Sequence, residues 1–354
     1  MPARPSCTTR SRVPGLAGAA ALALVATASL SGCGASQQAA DAAATSPAAG
    51  ASSAAVCTGR SDDKASAPTQ LTLALVPSGD ASKLVETVKP LEQALSQRLG
   101  IPVKGVITQD YQAAVEAIGS GQAQIGMLPS LQMSQACEKY GAVPALQSER
   151  KGKSTYAAQF FTNDPAKYCA DQPVAGADGM LFCNGTQSGE GPAGLDELPK
   201  IKGATVSLLQ PASPAGYIFP VAAMKKAGID VSSDIKVTQV TANDASVLAV
   251  YNGDAQVGTS YWDARSVVAK DTPDVGQKVV VFALTDAIPN DGVSLSSGLS
   301  QEWQTKVAAA MKDYAATPEG QQALSAIYQI TGLRDADPAA LQKTSDVAAS
   351  IGLG

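Results

Sequence analysis

From Leu71 onward the chain alternates between two hydrophobic periods. Leu71 to Val76 is a short apolar run closed by Pro77-Ser78-Gly79-Asp80, after which Leu84, Val88, Leu91, Leu95 and Leu99 recur at helical spacing. A buried strand, a loop and a helix are predicted in that order. The pattern continues with a strand at Val103 to Ile107, a helix at Tyr111 to Ile118 and a strand at Gln124 to Leu128. It returns with a strand at Ala204 to Leu209 and an Ala, Met and Lys run from Val221 to Ala227 that reads as a helix. Strands alternating with helices predict an α/β fold with parallel sheets covered by helices.

One unit of this pattern is used twice. Ala113, Val115, Ala117, Gly121, Ala123, Gln124 and Gly126 are matched at one constant offset by Ala245, Val247, Ala249, Gly253, Ala255, Gln256 and Gly258. Ile118 and Ile125 correspond to Val250 and Val257 at the same offset. A repeated helix, glycine turn and buried strand predicts two similar lobes. The aromatic-rich segment Ser154 to Asn163 reads as the crossover out of the first lobe, and Val279 to Ala287 as the way back. Tail helices at Gln301 to Tyr314, Pro318 to Ile330 and Pro338 to Ile351 are assigned to the outer face of the first lobe. The boundaries that follow are 69–158 plus 286–354 for the first lobe and 159–285 for the second. Two linkers of this kind allow hinge closure on a ligand.

The residues ahead of the folded part carry a different signal. Arg4, Arg10 and Arg12 precede an apolar run from Gly15 to Leu30, ending in Leu30-Ser31-Gly32-Cys33. Residues 1–32 read as a secretory signal, too short in its apolar core to span a membrane comfortably. Its last four residues look like a lipobox, so Cys33 is expected to be lipidated and to anchor the protein at the membrane surface. Residues 33–68, mostly Ala, Ser, Gly and Gln, lack the large apolar side chains needed to fold and read as a flexible tether.

With Cys7 in the signal and Cys33 lipidated, Cys57, Cys137, Cys169 and Cys183 remain for an oxidising compartment. Two disulfides with three possible connectivities are expected. Cys169 with Cys183 would close a Gly and Asp-rich loop; Cys57 with Cys137 would pin the end of the tether. The 354-residue chain has no histidine and a formal net charge of −5. The first fact removes the common zinc sites, Ser-His-Asp triads and Cys-His dyads. The second, with no clustered basic face, speaks against nucleic acid as a partner. No metal, cofactor or catalytic residue is assigned.

Candidate chemistry concentrates at Gln210-Pro-Ala-Ser-Pro-Ala-Gly-Tyr-Ile-Phe-Pro220, between a predicted strand and a predicted helix. Ser213 suits the N-cap and Pro214 the first helical position. The N–H groups of Ala215, Gly216 and Tyr217 are expected to point outward, where a helix start can hold an anion without Lys or Arg. Ligands of open parallel sheets bind beyond the carboxyl ends of strands. Those loops offer Ser78, Tyr111, Ser130, Asn243 and the stretch Ser260 to Asp263, with Tyr156 on the crossover.

The chain from about Leu71 to Gly332 resembles the phosphate, phosphite and phosphonate-binding lipoproteins of ABC importers. The resemblance rests on Leu75-Val-Pro-Ser-Gly-Asp-Ala-Ser-Lys-Leu84, Gln109-Asp-Tyr-Gln-Ala-Ala-Val-Glu-Ala117, Pro211-Ala-Ser-Pro-Ala-Gly-Tyr-Ile-Phe-Pro220 and Ile288-Pro-Asn-Asp291. It implies a two-lobed type II periplasmic-binding-protein fold, each lobe a mostly parallel sheet flanked by helices. It also implies that Tyr111, Tyr156, Ser213, Gly216 and Tyr217 stand at ligand-binding positions, and that Asp263 accepts a proton from the ligand, although as a residue type Asp263 suits a helix N-cap equally well. Pro214 and Ala215 replace two hydroxyl residues usual in the family, and Asn243 stands where some members have His. The function implied is a monomeric, lipid-anchored, extracytoplasmic receptor that passes a small oxyanion to a permease and ATPase. Another small polar ligand on the same fold, an extracellular hydrolase and a sensory lipoprotein are the alternatives.

Overall fold

A computed structural model describes residues 56–353 apart from Gly79. The expected signal segment, the expected lipidation of Cys33 and the expected tether before Val56 lie outside these residues. The strands of the first lobe are β1 (Leu71–Leu75), β2 (Val103–Ile107), β3 (Ile125–Leu128) and β4 (Val143–Glu149). The second lobe contains β5 (Thr155–Thr162), β6 (Val174–Ala175), β7 (Leu181–Phe182), β8 (Thr205–Leu208), β9 (Lys236–Gln239), β10 (Val257–Tyr261) and β11 (Val280–Pro289). The chain then returns to the first lobe as β12 (Gly292–Leu295) and β13 (Gly332–Asp335).

The first sheet runs β13-β4-β12-β3-β1-β2 and the second β6-β7-β11-β5-β10-β8-β9. β1 is parallel to β2 and β3, whereas β12 inserts antiparallel between β3 and β4. In the second sheet β8 is parallel to β9 and β10, and β5 lies antiparallel to both β10 and β11. Both sheets are therefore mixed, because the strands that leave and re-enter each lobe are built into it. The two segments expected as linkers are β5 and β11, neighbours near the middle of the second sheet. Only residues 150–154 and 290–291 pass between the sheets.

The repeated unit has the same construction in both lobes. Helix Tyr111–Gly119 leads to β3 and helix Asn243–Tyr251 leads to β10. The Gln124 amide oxygen accepts from Thr72 N at 2.9 Å, and that of Gln256 from Thr205 N at 2.7 Å. Each glutamine also donates its own N–H back to the same residue's carbonyl, at 3.0 Å in both lobes. Helix and sheet approach closely at the shared glycine. A Cβ on Gly126 would lie 3.0 Å from Ile118 Cδ1, and one on Gly258 would lie 2.9 Å from Val250 Cγ2. The repeated letters are thus a packing device, which is why they survive in both halves.

Helices Gln301–Ala315 and Pro318–Tyr328 cover the first lobe, contributing Val307, Met311, Leu324 and Ile327 to its core. The last helix, Pro338–Ser350, differs from its expected place on that lobe alone. Leu341 packs in the first lobe and Thr344 Oγ1 donates to Ser130 Oγ at 3.0 Å, but Ala348 joins a cluster with Ala158, Ile218, Phe219 and Ile288. Lys225 of the second lobe reaches the Ser350 carbonyl at 2.8 Å. The helix is long enough to carry apolar residues for both lobes on its inner side.

Disulfides join Cys57 to Cys137 and Cys169 to Cys183. The last residues of the expected tether are not free. Arg60 N donates to Gly141 O at 2.9 Å, Asp62 N to Leu299 O at 3.0 Å, and Gln304 Nε2 to Arg60 O at 3.0 Å. These bonds compensate for the missing apolar side chains in that segment. Among the described residues no helix is long and apolar enough to cross a membrane.

Candidate functional site

A cavity of about 630 Å³ lies between the lobes. The loops at the carboxyl ends of β1 and β8 bring Ser78 and Ser213 to it, and the first turns of the twin helices bring Tyr111 and Asn243. Asp110 fixes the first of those helices by accepting from Ala113 N at 2.7 Å, which holds Tyr111 at the entrance turn. Tyr156 at the start of β5, Ala215, and Tyr261 and Trp262 of the stretch Ser260 to Asp263 complete the sequence-predicted residues that line the cavity.

Ser213 is buried and its Oγ accepts from Gly216 N at 3.1 Å. The turn that follows is wide: both Tyr217 N and Ile218 N donate to the Ser213 carbonyl, at 3.1 and 3.0 Å. Of the three N–H groups expected to face outward, Gly216 and Tyr217 are consumed inside the turn. Ala215 N alone has no partner among the described residues. Gly216 is required by packing, since a Cβ there would stand 2.6 Å from Leu209 Cβ. Tyr217 lies against the second-lobe core. Neither lines the cavity.

Ser130 and Asp263 also stand away from the cavity lining. Ser130 is buried against Thr344 at the last helix. Asp263 is bonded to Arg265, a fully buried side chain, with Oδ2 2.5 Å from Nη2 and Oδ1 3.0 Å from Nε. The same guanidinium donates to the carbonyls of Leu181 and Val279, at 2.8 and 2.6 Å. A buried arginine needs a counter-charge, and Asp263 supplies it. Asn243 joins the lobes: Nδ2 donates to Ser78 O at 3.0 Å and Oδ1 accepts from Tyr261 N at 3.3 Å. Gln132 Nε2 to Ala212 O at 3.0 Å and Gln329 Nε2 to Tyr261 Oη at 3.3 Å span the same gap. At the rim Lys83 meets Asp271 at 3.3 Å.

The floor holds residues that were not singled out in the sequence. Arg150 pairs with Asp291, Nη2 to Oδ1 2.6 Å, and its Nε donates to Tyr328 O at 2.9 Å. Tyr261, Trp262, Tyr328 and Asp244 line the walls. The anion-holding potential of the cleft therefore includes a cationic side chain, where dipoles alone were expected. Asp291 closes the Ile288-Pro-Asn-Asp291 motif, which was a usable signal; Arg150 follows β4 with no local pattern to mark it. Burial pushes the Tyr111 phenol up to about 12; the Ser213 hydroxyl beside it opposes the rise, and the Asp291 carboxylate adds to it. Tyr156, Tyr261 and Tyr328 are raised in the same direction, again mainly by burial. All four phenols stay protonated at neutral pH. The Tyr328 hydroxyl is already committed to the Val76 carbonyl at 2.6 Å.

A cleft lined by protonated phenols, serine hydroxyls, the Ala215 N–H and one guanidinium can bind a small anion. A family model for the ABC transporter, phosphonate, periplasmic substrate-binding protein matches residues 73–341. The chain belongs to that family. Its members are extracytoplasmic solute-binding components of transporters, not enzymes. A curated relative, the phosphate-import protein PhnD of Mycolicibacterium smegmatis, is 22% identical over 201 residues, covering 55% of this chain and 56% of the relative. The chain thus spans about half the length of that relative. PhnD1 from Prochlorococcus marinus, solved in complex with methylphosphonate, superposes with a TM-score of 0.67 at 14% identity, over 81% of this chain and 100% of that one. A binding protein component of an ABC phosphonate transporter from Pseudomonas aeruginosa gives 0.65 at 17% identity, over 79% and 86%. At these identities the two structures establish the type II two-lobed fold.

Proposed function

We propose that the protein is the solute receptor of an ABC importer, held outside the cytoplasmic membrane by acylated Cys33, and that its inter-lobe cleft captures a phosphonate, phosphite or phosphate-type oxyanion. The convergence of Tyr111, Tyr156, Ser213 and the Ala215 N–H on one cavity carries this reading. These groups come from both lobes, so a bound anion joins them and favours closure. A permease and its ATPase would receive the ligand from the closed form. The receptor acts as a monomer, with one cleft per chain.

The cavity volume and the loss of two hydroxyls at Pro214 and Ala215 favour an organic phosphonate over the bare inorganic ion. Pockets of a few hundred Å³ and more suit ligands with a carbon skeleton. Isothermal calorimetry with phosphate, phosphite, methylphosphonate and 2-aminoethylphosphonate tests the assignment. Saturable, stoichiometric binding of at least one is expected. Tyr111→Phe should weaken it about tenfold or more, since a hydrogen bond to a charged group contributes roughly 1.5–3 kcal/mol. Silence across the panel from folded protein would remove the ligand class.

A further inference from the structure

Tyr111, Tyr156, Ser213 and the Ala215 N–H account for only part of the cavity. A phosphonate group takes up a few water volumes, each about 30 Å³, whereas the cavity holds about 630 Å³. The remainder runs between helix Ala81–Thr87 of the first lobe and helix Arg265–Val268 of the second, which Lys83 and Asp271 bring together at 3.3 Å. Asp80, Lys83, Leu84 and Thr87 all line this groove. It therefore follows the first of these helices from its cap to its last residue, about 10 Å, too far for a headgroup alone to fill.

The walls of the groove are mostly carbon. Leu84, Met127 and Ile327 belong to the first-lobe core and also line the cavity, and the second lobe supplies Val267 and Trp262. Four of the chain's nine tyrosines and one of its two tryptophans line the same cavity, in a chain that is only 5% aromatic. Binding an anion does not call for so many rings. Tyr328 Oη is tied to the Val76 carbonyl and Trp262 Nε1 is itself buried, so both meet the cavity with carbon. The indole is also fixed in place: a Cβ on Gly189 would lie 2.6 Å from its Cδ2, and Lys151 Nζ stands 5.0 Å from its ring centroid. A held indole edge beside a second ring suits an aromatic partner, because edge-to-face and offset contacts add to the area buried.

The charges along the groove do not compete with that reading. Lys83 and Asp271 are 69% and 77% exposed and neutralise one another at the mouth, and Lys270 is exposed. Asp244, in the first turn of helix Asn243–Tyr251, lines the cavity and repels an arm that ends in a second acid. We propose that the groove is a subsite for the organic arm of the ligand, and that the preferred solute is an oxyanion carrying an aromatic ring close to phosphorus, in place of a methyl-sized or aminoethyl-sized one. This rests on the oxyanion reading above and names its substrate class.

Calorimetry with benzylphosphonate, methylphosphonate and 2-aminoethylphosphonate tests the subsite. The benzyl compound should bind about tenfold or more tightly than either of the others, since burying half a phenyl ring is worth a factor of that order. Val267→Asn, on the second-lobe wall, should cut the benzyl-to-methyl affinity ratio by at least about threefold, and Val267→Leu should keep it. Val267 is half-buried on a short surface helix, so both variants are expected to fold, which a melting curve checks. Equal or weaker binding of the benzyl compound, with methylphosphonate still bound, overturns the subsite and leaves the oxyanion reading standing. So does tighter binding of the aminoethyl compound than of the benzyl one. A benzyl preference that Val267→Asn does not move puts the ring elsewhere and overturns the groove. Failure of all three, and of phosphate and phosphite, to bind folded protein overturns both readings.

Discussion

Asp263 lies between chemistry and architecture, and its environment decides which it serves. Stripping one partner from a buried ion pair strands the other charge, a loss of about 3–5 kcal/mol. Asp263→Ala is accordingly expected to show first as a lowered denaturant midpoint. The sequence left Asp263 open between a ligand contact and a helix cap, and Arg265 two positions on gave no signal, because a sequence does not reveal that an arginine is fully buried. Arg150 and Asp291 escaped for the opposite reason: their partnership spans the whole second lobe and has no periodicity. Tyr111 and Ser213 were legible because each opens a helix directly after a strand and loop. The cleft tyrosines also set an alkaline limit. Tyr111 is raised from an ordinary 10.0 to about 12, so the unfolded chain loses that proton first. The stability it confers is whole below pH 10 and is lost as pH rises towards about 12. Tyr111→Phe should make alkaline unfolding shallower, followed by phenolate absorbance alongside circular dichroism.

The twin helix–turn–strand units were the most legible elements, because the same packing problem was solved twice with the same letters. Gln124→Ala and Gln256→Ala each remove one side-chain bond to a strand start. Each is expected to cost about 0.5–1.5 kcal/mol in urea titrations, similarly in the two lobes. Gly258→Ala should cost more, since Val250 and Phe161 both occupy the space a methyl would take. β5 and β11 were mistaken for linkers. From Ala157 to Thr162 and from Val280 to Thr285 every residue is buried, so neither strand shows the two-residue alternation of a half-exposed one. Where both faces are covered, a strand and an apolar linker look alike. The last helix was misassigned for a related reason: its apolar positions announce a buried side without saying how many bodies that side touches.

The described residues form two lobes joined by a narrow, heavily bonded waist, with further bonds across the gap. The two-lobed plan followed from the repeat, but which segments cross between lobes depended on long-range pairing. The Cys57–Cys137 bridge closes a loop of sequence separation 80 within the first lobe. In the chain-entropy model such a closure is worth about 4.5 kcal/mol. Replacing both cysteines by serine should therefore lower the melting temperature while leaving the calorimetric affinity unchanged. The bridge has a mechanical meaning as well. Cys137 sits in the second half of helix Ser130–Tyr140, roughly 10 Å from its first residue, next to which Pro129 lines the cavity. A pull on the chain upstream of Cys57 is therefore delivered to the first lobe, away from the cleft.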